Sequence, residues 1–299
     1  MGSMFDENPT LIQEGPDPSE ADDGFSPQWS KKPTPLVLIH DGGGTIFSYH
    51  CLGDLGRPVY GIANPLYQSG DAWEGGIPEM ASTYLGFIKS ALPSGGDVII
   101  GGWSLGGLIS LEIARQMADD RDRSGLNLLG IVMIDSVCPV MMDVSRMQLV
   151  QHAMQWSEHT RQETRERVMR CFSEAVRMLG EWTLPVWDGQ QGKGFRASVA
   201  RRPPPVVLLR AMEKVPVPGG EGVTRVDIHR TDRQLGWGNY RKDLITKVID
   251  IPGHHFNIFH TEDNLDATTE AIRRACSELE GINSSGCLHE QLVYEHAVR

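Results

Sequence analysis

"DVIIGGWSLGGLISLEIARQM" occupies residues 97–117, and its reading decides the fold. The apolar run at its start has the character of a strand buried on both faces. From Leu105 the spacing is helical, with Leu108, Leu111, Ile113, Ala114 and Met117 supplying much of the apolar surface. Between the two stands Ser104, two residues after Gly102 and two before Gly106, with Trp103 and Leu105 in the intervening places. A serine at a sharp strand-to-helix turn is held exposed on a strained backbone. Its neighbours two residues away come so close that they must be small. Strand, turn and helix all lie in the required order, so Ser104 reads as a nucleophile and not as a turn serine.

Outward from this stretch the same alternation repeats. Apolar runs at 35–40, 59–64, 97–102, 128–135, 204–211 and 245–251 read as strands, and 79–92, 105–120 and 265–280 read as helices. Strands that are apolar at every position, alternating with amphipathic helices, predict an α/β class protein with a mostly parallel sheet covered on both faces. Residues 34–281 form the expected domain, with a leader at 1–33 and a tail at 282–299. The leader is acidic, proline-containing and aperiodic, and reads as a flexible linker or tag. Residues 141–200 interrupt the alternation. Two helical stretches there, Asp143–Glu158 and Arg161–Leu179, read as a lid inserted over the strand ends. The second carries Val168, Phe172, Ala175, Val176 and Leu179 on one stripe, and the segment holds Met141, Met142, Met147, Met154, Met169 and Met178, whose side chains adapt to irregular shapes.

The chemistry of a serine nucleophile requires partners. Its hydroxyl needs a base to take the proton, the base needs a carboxylate to fix its tautomer, and the oxyanion needs donors. G-x-S-x-G at a strand-to-helix turn is the signature of the α/β-hydrolase fold, whose partners follow in the order serine, acid, histidine. Asp135 ends the strand after the elbow helix, and Glu213 stands past the next strand; the clean strand end favours Asp135. "VIDIPGHHFNIFH" offers His254, His255 and His260 after the final strand, and His255 completes the order. The Leu105 N–H, at the start of a helix, is one oxyanion donor. "HDGGGT" at 40–45 supplies the other from Gly42 or Gly43, with His40 supporting the loop.

Composition narrows the classes. With 299 residues and 40% hydrophobic content, the chain builds a sizeable core. A formal net charge of -11 argues against nucleic acid as a partner. No apolar run reaches the ~18 residues of a membrane span, and the start lacks the basic and apolar regions of a secretory signal. Five cysteines with no CxxC read as reduced thiols in a cytoplasmic protein. The opening "MGSM" looks like a tag, which suggests a domain of a longer chain.

"GGWSLGGLISLEIARQM", "IVMIDS" and "PGHHFNIF" resemble the thioesterase domains that end polyketide synthases and nonribosomal peptide synthetases. "PLVLIHDGGGTIFSYHCLGDLGRPVYGIANP" and "WEGGIPEMASTYL" resemble the fungal branch of that family, and the likeness runs from about Pro35 to about Glu280. It implies a catalytic triad of Ser104, Asp135 and His255, with the acid in "MIDS" and the base in the G-x-H-F pattern. It further implies that the phosphopantetheine arm of an acyl or peptidyl carrier domain in the same megasynthase delivers a polyketide or aryl acyl chain. The chain passes to Ser104 and leaves by hydrolysis, lactonisation or attack by a carbon nucleophile, with no bound cofactor or metal. The loop HDGGGT departs from the proline-containing form common in the family, which leaves Gly42 and Gly43 both open as donors. Three other functions are consistent with a triad or its scaffold: a free-standing esterase or lipase, an editing thioesterase that clears stalled carriers, and a hydrolase-fold binding protein without chemistry.

Overall fold

The six apolar runs and one short edge strand assemble into one seven-stranded sheet, whose central strands are buried on both faces and need a cover on either side. The structure is a computed structural model that describes residues 7–16, 32–119, 125–140, 148–150, 154, 156–187 and 202–297, the last with side chains as far as Ile282. The strands are β1 (Thr10–Gln13), β2 (Leu36–Ile39), β3 (Val59–Ile62), β4 (Gly96–Trp103), β5 (Leu126–Ile134), β7 (Val206–Ala211) and β9 (Ile245–Ile251), in the order β1-β3-β2-β4-β5-β7-β9. Only β1 is antiparallel to its neighbour. A separate two-residue pairing joins β6 (Leu149–Val150) to β8 (Val223–Thr224) in parallel.

Alternate residues of the strands face opposite layers. Val37, Ile39, Val98 and Ile100 pack with α2 (Gly76–Ala91) and α3 (Leu105–Asp119), and Trp237 of the short α5 (Trp237–Tyr240) joins this layer. Leu36, Leu38, Ile99 and Val132 pack with Tyr49 of the short α1 (Phe47–His50) and with Ala271, Ile272, Ala275 and Leu279 of α6 (Glu262–Ala297). The chain runs from β2 out to β3, then returns past β2 to β4, so the strand order reverses between β2 and β4. In open α/β sheets a ligand crevice forms at the carboxyl ends of strands at such a reversal. Ile39 pairs with Gly102, Trp103 with Ile134, and Ile134 with Leu209. That register brings the glycine loop, Ser104 and Asp135 to one edge.

Four expectations are corrected. Within the leader, Thr10–Gln13 is not a free linker but the edge strand β1, pinned by side chains. Asn8 brackets Ala63 at 3.1 and 3.0 Å, and the Gln13 carbonyl accepts the Leu55 N–H at 2.9 Å. Four residues are too few to show a period, and their partner β3 is remote in sequence. The first lid helix, Asp143–Glu158, falls partly outside the described residues, with Met147, and so do Met141 and Met142 just before it. Where it is described, Leu149–Val150 is the strand β6, held by pairing with residues more than seventy positions away. The second is α4 (Gln162–Glu181), but Val176 is 49% exposed. It stands at the edge of the stripe, about 40° past Phe172 and about 60° past Leu179, and the packed face ends before it. Residues 282–297 continue α6 where a tail was expected. Gly281 and Gly286 lower helix propensity, but no proline after 265 forbids the backbone from continuing.

Candidate active site

Ser104 sits at φ 54°, the left-handed region, between the end of β4 and the start of α3. A Cβ on Gly102 or on Gly106 would run into the Ile39 carbonyl oxygen, so the elbow can press against the end of β2 only with glycine at both places. Tyr49 locks that junction from the other face. Its hydroxyl donates to the Ile39 carbonyl at 2.7 Å and accepts the Trp103 N–H at 2.8 Å. No sequence motif marks this residue.

The three residues chosen from the sequence come together. The Ser104 Oγ lies 3.1 Å from His255 Nε2, and His255 Nδ1 lies 2.7 Å from Asp135 Oδ2. Asp135 is fully buried and also takes a left-handed backbone, φ 46°, as it leaves β5. Its Oδ1 accepts the Ala211 N–H at 2.9 Å. The Arg230 guanidinium grips both oxygens, Nη1 to Oδ1 at 2.6 Å and Nη2 to Oδ2 at 2.8 Å. Burial pushes the Asp135 carboxyl up, but the bonds from His255 and Arg230 outweigh it and hold the group down to about 2. Arg230 was not legible in the sequence, because "VDIHRTDR" carries no motif and its site forms only on folding.

The alternatives fall elsewhere. Glu213 is exposed, and its backbone N–H bonds the Gly253 carbonyl. His254 points its Nδ1 at the Phe256 N–H, 3.3 Å away, while its own N–H is held by Asn257. His260 is exposed. In the glycine loop, the Gly43 N–H donates to Asp41 Oδ1 at 3.1 Å and the Gly44 N–H to the Asp41 carbonyl. No hydrogen bond takes the Gly42 N–H among the described residues. His40 is buried behind the loop. Its Nδ1–H donates to the Asp41 carbonyl at 2.5 Å, so Nε2 accepts the Tyr84 hydroxyl at 2.6 Å. Burial lowers this imidazole to about 4 against the pull of the Asp41 carbonyl, so it stays neutral.

Residues 34–181 match a family model described as the thioesterase domain. The thioesterase frbD of Dothideomycetidae sp. (strain 11243) is 38% identical over 252 residues, spanning 83% of this chain and 91% of that one. The chain belongs to the thioesterase family. The thioesterase is also 31% identical, over 303 aligned positions, to part of the nonribosomal peptide synthetase imqB of Aspergillus flavus; the match covers 92% of this chain and 8% of the synthetase. Among solved structures, the NocB thioesterase domain in covalent complex with a fluorophosphonate nocardicin G analogue superposes with TM-score 0.56 at 22% identity, over 82% of this chain and 95% of that one. That likeness is one of fold, and it agrees with the mostly parallel, helix-covered sheet expected from the sequence.

Helix α4 of the thioesterase lies against the glycine loop. Phe172 stands 2.9 Å from where a Cβ on Gly42 would be, and Val168 is 3.4 Å from the same point on Gly43. The far half of α4 is tied to the body. Glu174 accepts the Trp73 N–H at 3.0 Å, Arg177 donates to the Trp73 carbonyl at 2.9 Å, and Trp182 Nε1 donates to buried Glu112 at 3.3 Å. An open cleft of about 540 Å³ at that end, lined by Val140, Trp182, Val186 and Tyr240 among others, touches none of the three site residues. Among the described residues no group of three or more His, Cys, Asp or Glu could hold a metal ion, and no helix is long and apolar enough to cross a membrane.

Proposed function

We propose that this thioesterase is a serine hydrolase that takes an acyl chain from the phosphopantetheine thioester of a carrier domain onto Ser104, then releases it to water or to a nucleophile of the chain itself. The observation that carries the reading is the continuous line Ser104 Oγ, His255, Asp135, at 3.1 and 2.7 Å. His255 Nε2 takes the hydroxyl proton as Oγ attacks the thioester carbon, which contributes typically 10²–10⁴-fold. The oxyanion meets the amides of Leu105 and Gly42; Gly42 is favoured over Gly43 because the Gly43 amide is already engaged by Asp41. One such donor is worth roughly 10²–10³ in kcat. Collapse breaks the C–S bond, and His255 returns the proton to the departing thiolate. The second nucleophile then gives its proton to His255 as it attacks the ester carbon, and collapse breaks the acyl–Oγ bond as His255 returns that proton to Ser104 Oγ.

One observation favours a carrier-bound substrate over a diffusible ester. A stretch matching nearly this whole chain is found inside a peptide synthetase. Phe172 of α4 stands close over Gly42, which sets an apolar side chain beside the place where the acyl carbonyl would lie. A polyketide or related acyl chain is the substrate class that fits such a site.

Intact mass spectrometry tests the reading. The wild type, mixed with acyl-carrier and acyl-pantetheine thioesters, should gain the acyl mass, and Ser104→Ala should gain none. An adduct that persists in Ser104→Ala removes the nucleophile assignment. Fast turnover of p-nitrophenyl esters beside inert carrier thioesters gives the free-standing esterase instead.

A further inference from the structure

Arg230 is buried, at 4% exposure, and spends its donors on four groups. Besides the two Asp135 oxygens, Nε donates to Asp227 Oδ1 at 2.9 Å, Nη1 to the Ala211 carbonyl at 2.8 Å and Nη2 to the Val226 carbonyl at 3.1 Å. Asp227 is buried in turn, and its Oδ2 accepts the Val215 N–H at 2.7 Å and the Thr224 hydroxyl at 2.9 Å. A carboxylate serving only to orient His255 needs no guanidinium, and burying one beside it carries a desolvation cost. We propose that Arg230 is a positioning residue of this active site: its fork fixes the plane of the Asp135 carboxylate, and the Asp135–Arg230–Asp227 chain sets the net charge that His255 senses. This rests on the reading of Ser104, Asp135 and His255 as the triad.

The geometry gives two separable effects. The paired bonds at 2.6 and 2.8 Å leave Asp135 no freedom to rotate, so Oδ2 stays aimed at Nδ1. The charge acts differently. Two buried carboxylates and one guanidinium sum to one negative charge behind the imidazole, where an unaided Asp135–Asp227 pair would present two. Removing the cation favours imidazolium; removing the Asp227 charge disfavours it. Other titratable groups on the surrounding elements are His254 beside it, turned to the Phe256 amide, Asp41 of the glycine loop, turned to the Gly43 amide, and the exposed Glu213 and His260. The rings of Trp103 and Phe256 that flank His255 are uncharged.

The test tracks the rate of fluorophosphonate labelling against pH by intact mass, for wild type, Arg230→Met, Arg230→Lys and Asp227→Asn. The midpoint of the rise should move up by about one pH unit in Arg230→Met, the low end for a charge acting through one carboxylate. It should move down, by roughly half a unit, in the more distant Asp227→Asn. Arg230→Lys should keep a midpoint close to wild type while the plateau rate falls, on the order of 10²-fold for a misplaced base. A purely structural role lowers rates without midpoints moving in opposite directions. Equal midpoints in folded variants overturn the proposal, and if Arg230→Met does not fold, an unmoved Asp227→Asn midpoint overturns it alone. Labelling that survives Ser104→Ala instead overturns the triad reading beneath it.

Discussion

Replacing Asp135 by asparagine keeps the shape of the side chain and removes an acceptor where none can be spared. All four accepting positions of the carboxylate are used: Oδ1 by Ala211 N–H and Arg230 Nη1, Oδ2 by Arg230 Nη2 and His255 Nδ1. An amide offers one oxygen and one NH₂. With the oxygen toward Ala211, the NH₂ faces His255 and Arg230. The imidazole must then carry its proton on Nε2, where it cannot accept one from Ser104. With the amide flipped, the NH₂ meets both the Ala211 N–H and Arg230 Nη1, two donor–donor conflicts in a fully buried place. Each unmatched buried group costs about 1–3 kcal/mol, so the first orientation, with one conflict fewer toward the backbone, wins. The wrong tautomer then dominates, and kcat for acyl-pantetheine hydrolysis should fall on the order of 10⁴-fold, as it does for this exchange in an unrelated triad. Steady-state kinetics at pH 7.5 with circular dichroism as the control for folding reads this directly. A folded Asp135→Asn enzyme within about tenfold of wild type would refute the tautomer argument, because that loss is no larger than a positioning effect.

Three further outcomes are expected. His255→Ala should abolish acyl loading, whereas His254→Ala should stay within about tenfold, since His254 is committed to the Phe256 amide; loading assays on the two variants separate them, and the reverse result reassigns the base. Phe172→Ala should change the ratio of hydrolysed to cyclised product more than the loading rate, because Phe172 stands over Gly42 and takes no part in the Ser104–His255–Asp135 hydrogen bonds; product analysis across several inner-face variants of α4 checks this. Asp41 is half-buried, and burial pushes its carboxyl up to about 7 despite the bond from the Gly43 amide. Because the folded form binds this proton more tightly than the unfolded chain, stability falls as pH rises from about 4 to about 7. Asp41→Asn, which keeps an acceptor for Gly43, should therefore raise Tm relative to wild type more at pH 8 than at pH 5, and an equal shift at both values would contradict the assignment.

The sheet was legible because its strands are apolar on both faces, a pattern that needs no knowledge of neighbours. The elbow was legible because steric closeness at Gly102 and Gly106 is a local demand, met within five residues. Asp135 and His255 were found by position after their strands, and His255 was separated from His254 by the likeness to a family. Chain order alone places both histidines on the same loop.

Tertiary structure decided what depends on residues distant along the chain. The edge strand Thr10–Gln13 exists because β3 has an open side and Gln13 reaches the Leu55 amide. Leu149–Val150 is extended, not helical, because Val223–Thr224 pairs with it. The preference for Gly42 over Gly43 is a local exception: Asp41 is two positions from Gly43, but only the folded loop shows which amide its carboxylate takes. Arg230 lies 95 positions from Asp135 and has no signature around it. A helix stripe or a tight turn is encoded by the spacing of neighbours, but a buried ion pair is a meeting of remote segments, and only the folded backbone brings them within reach.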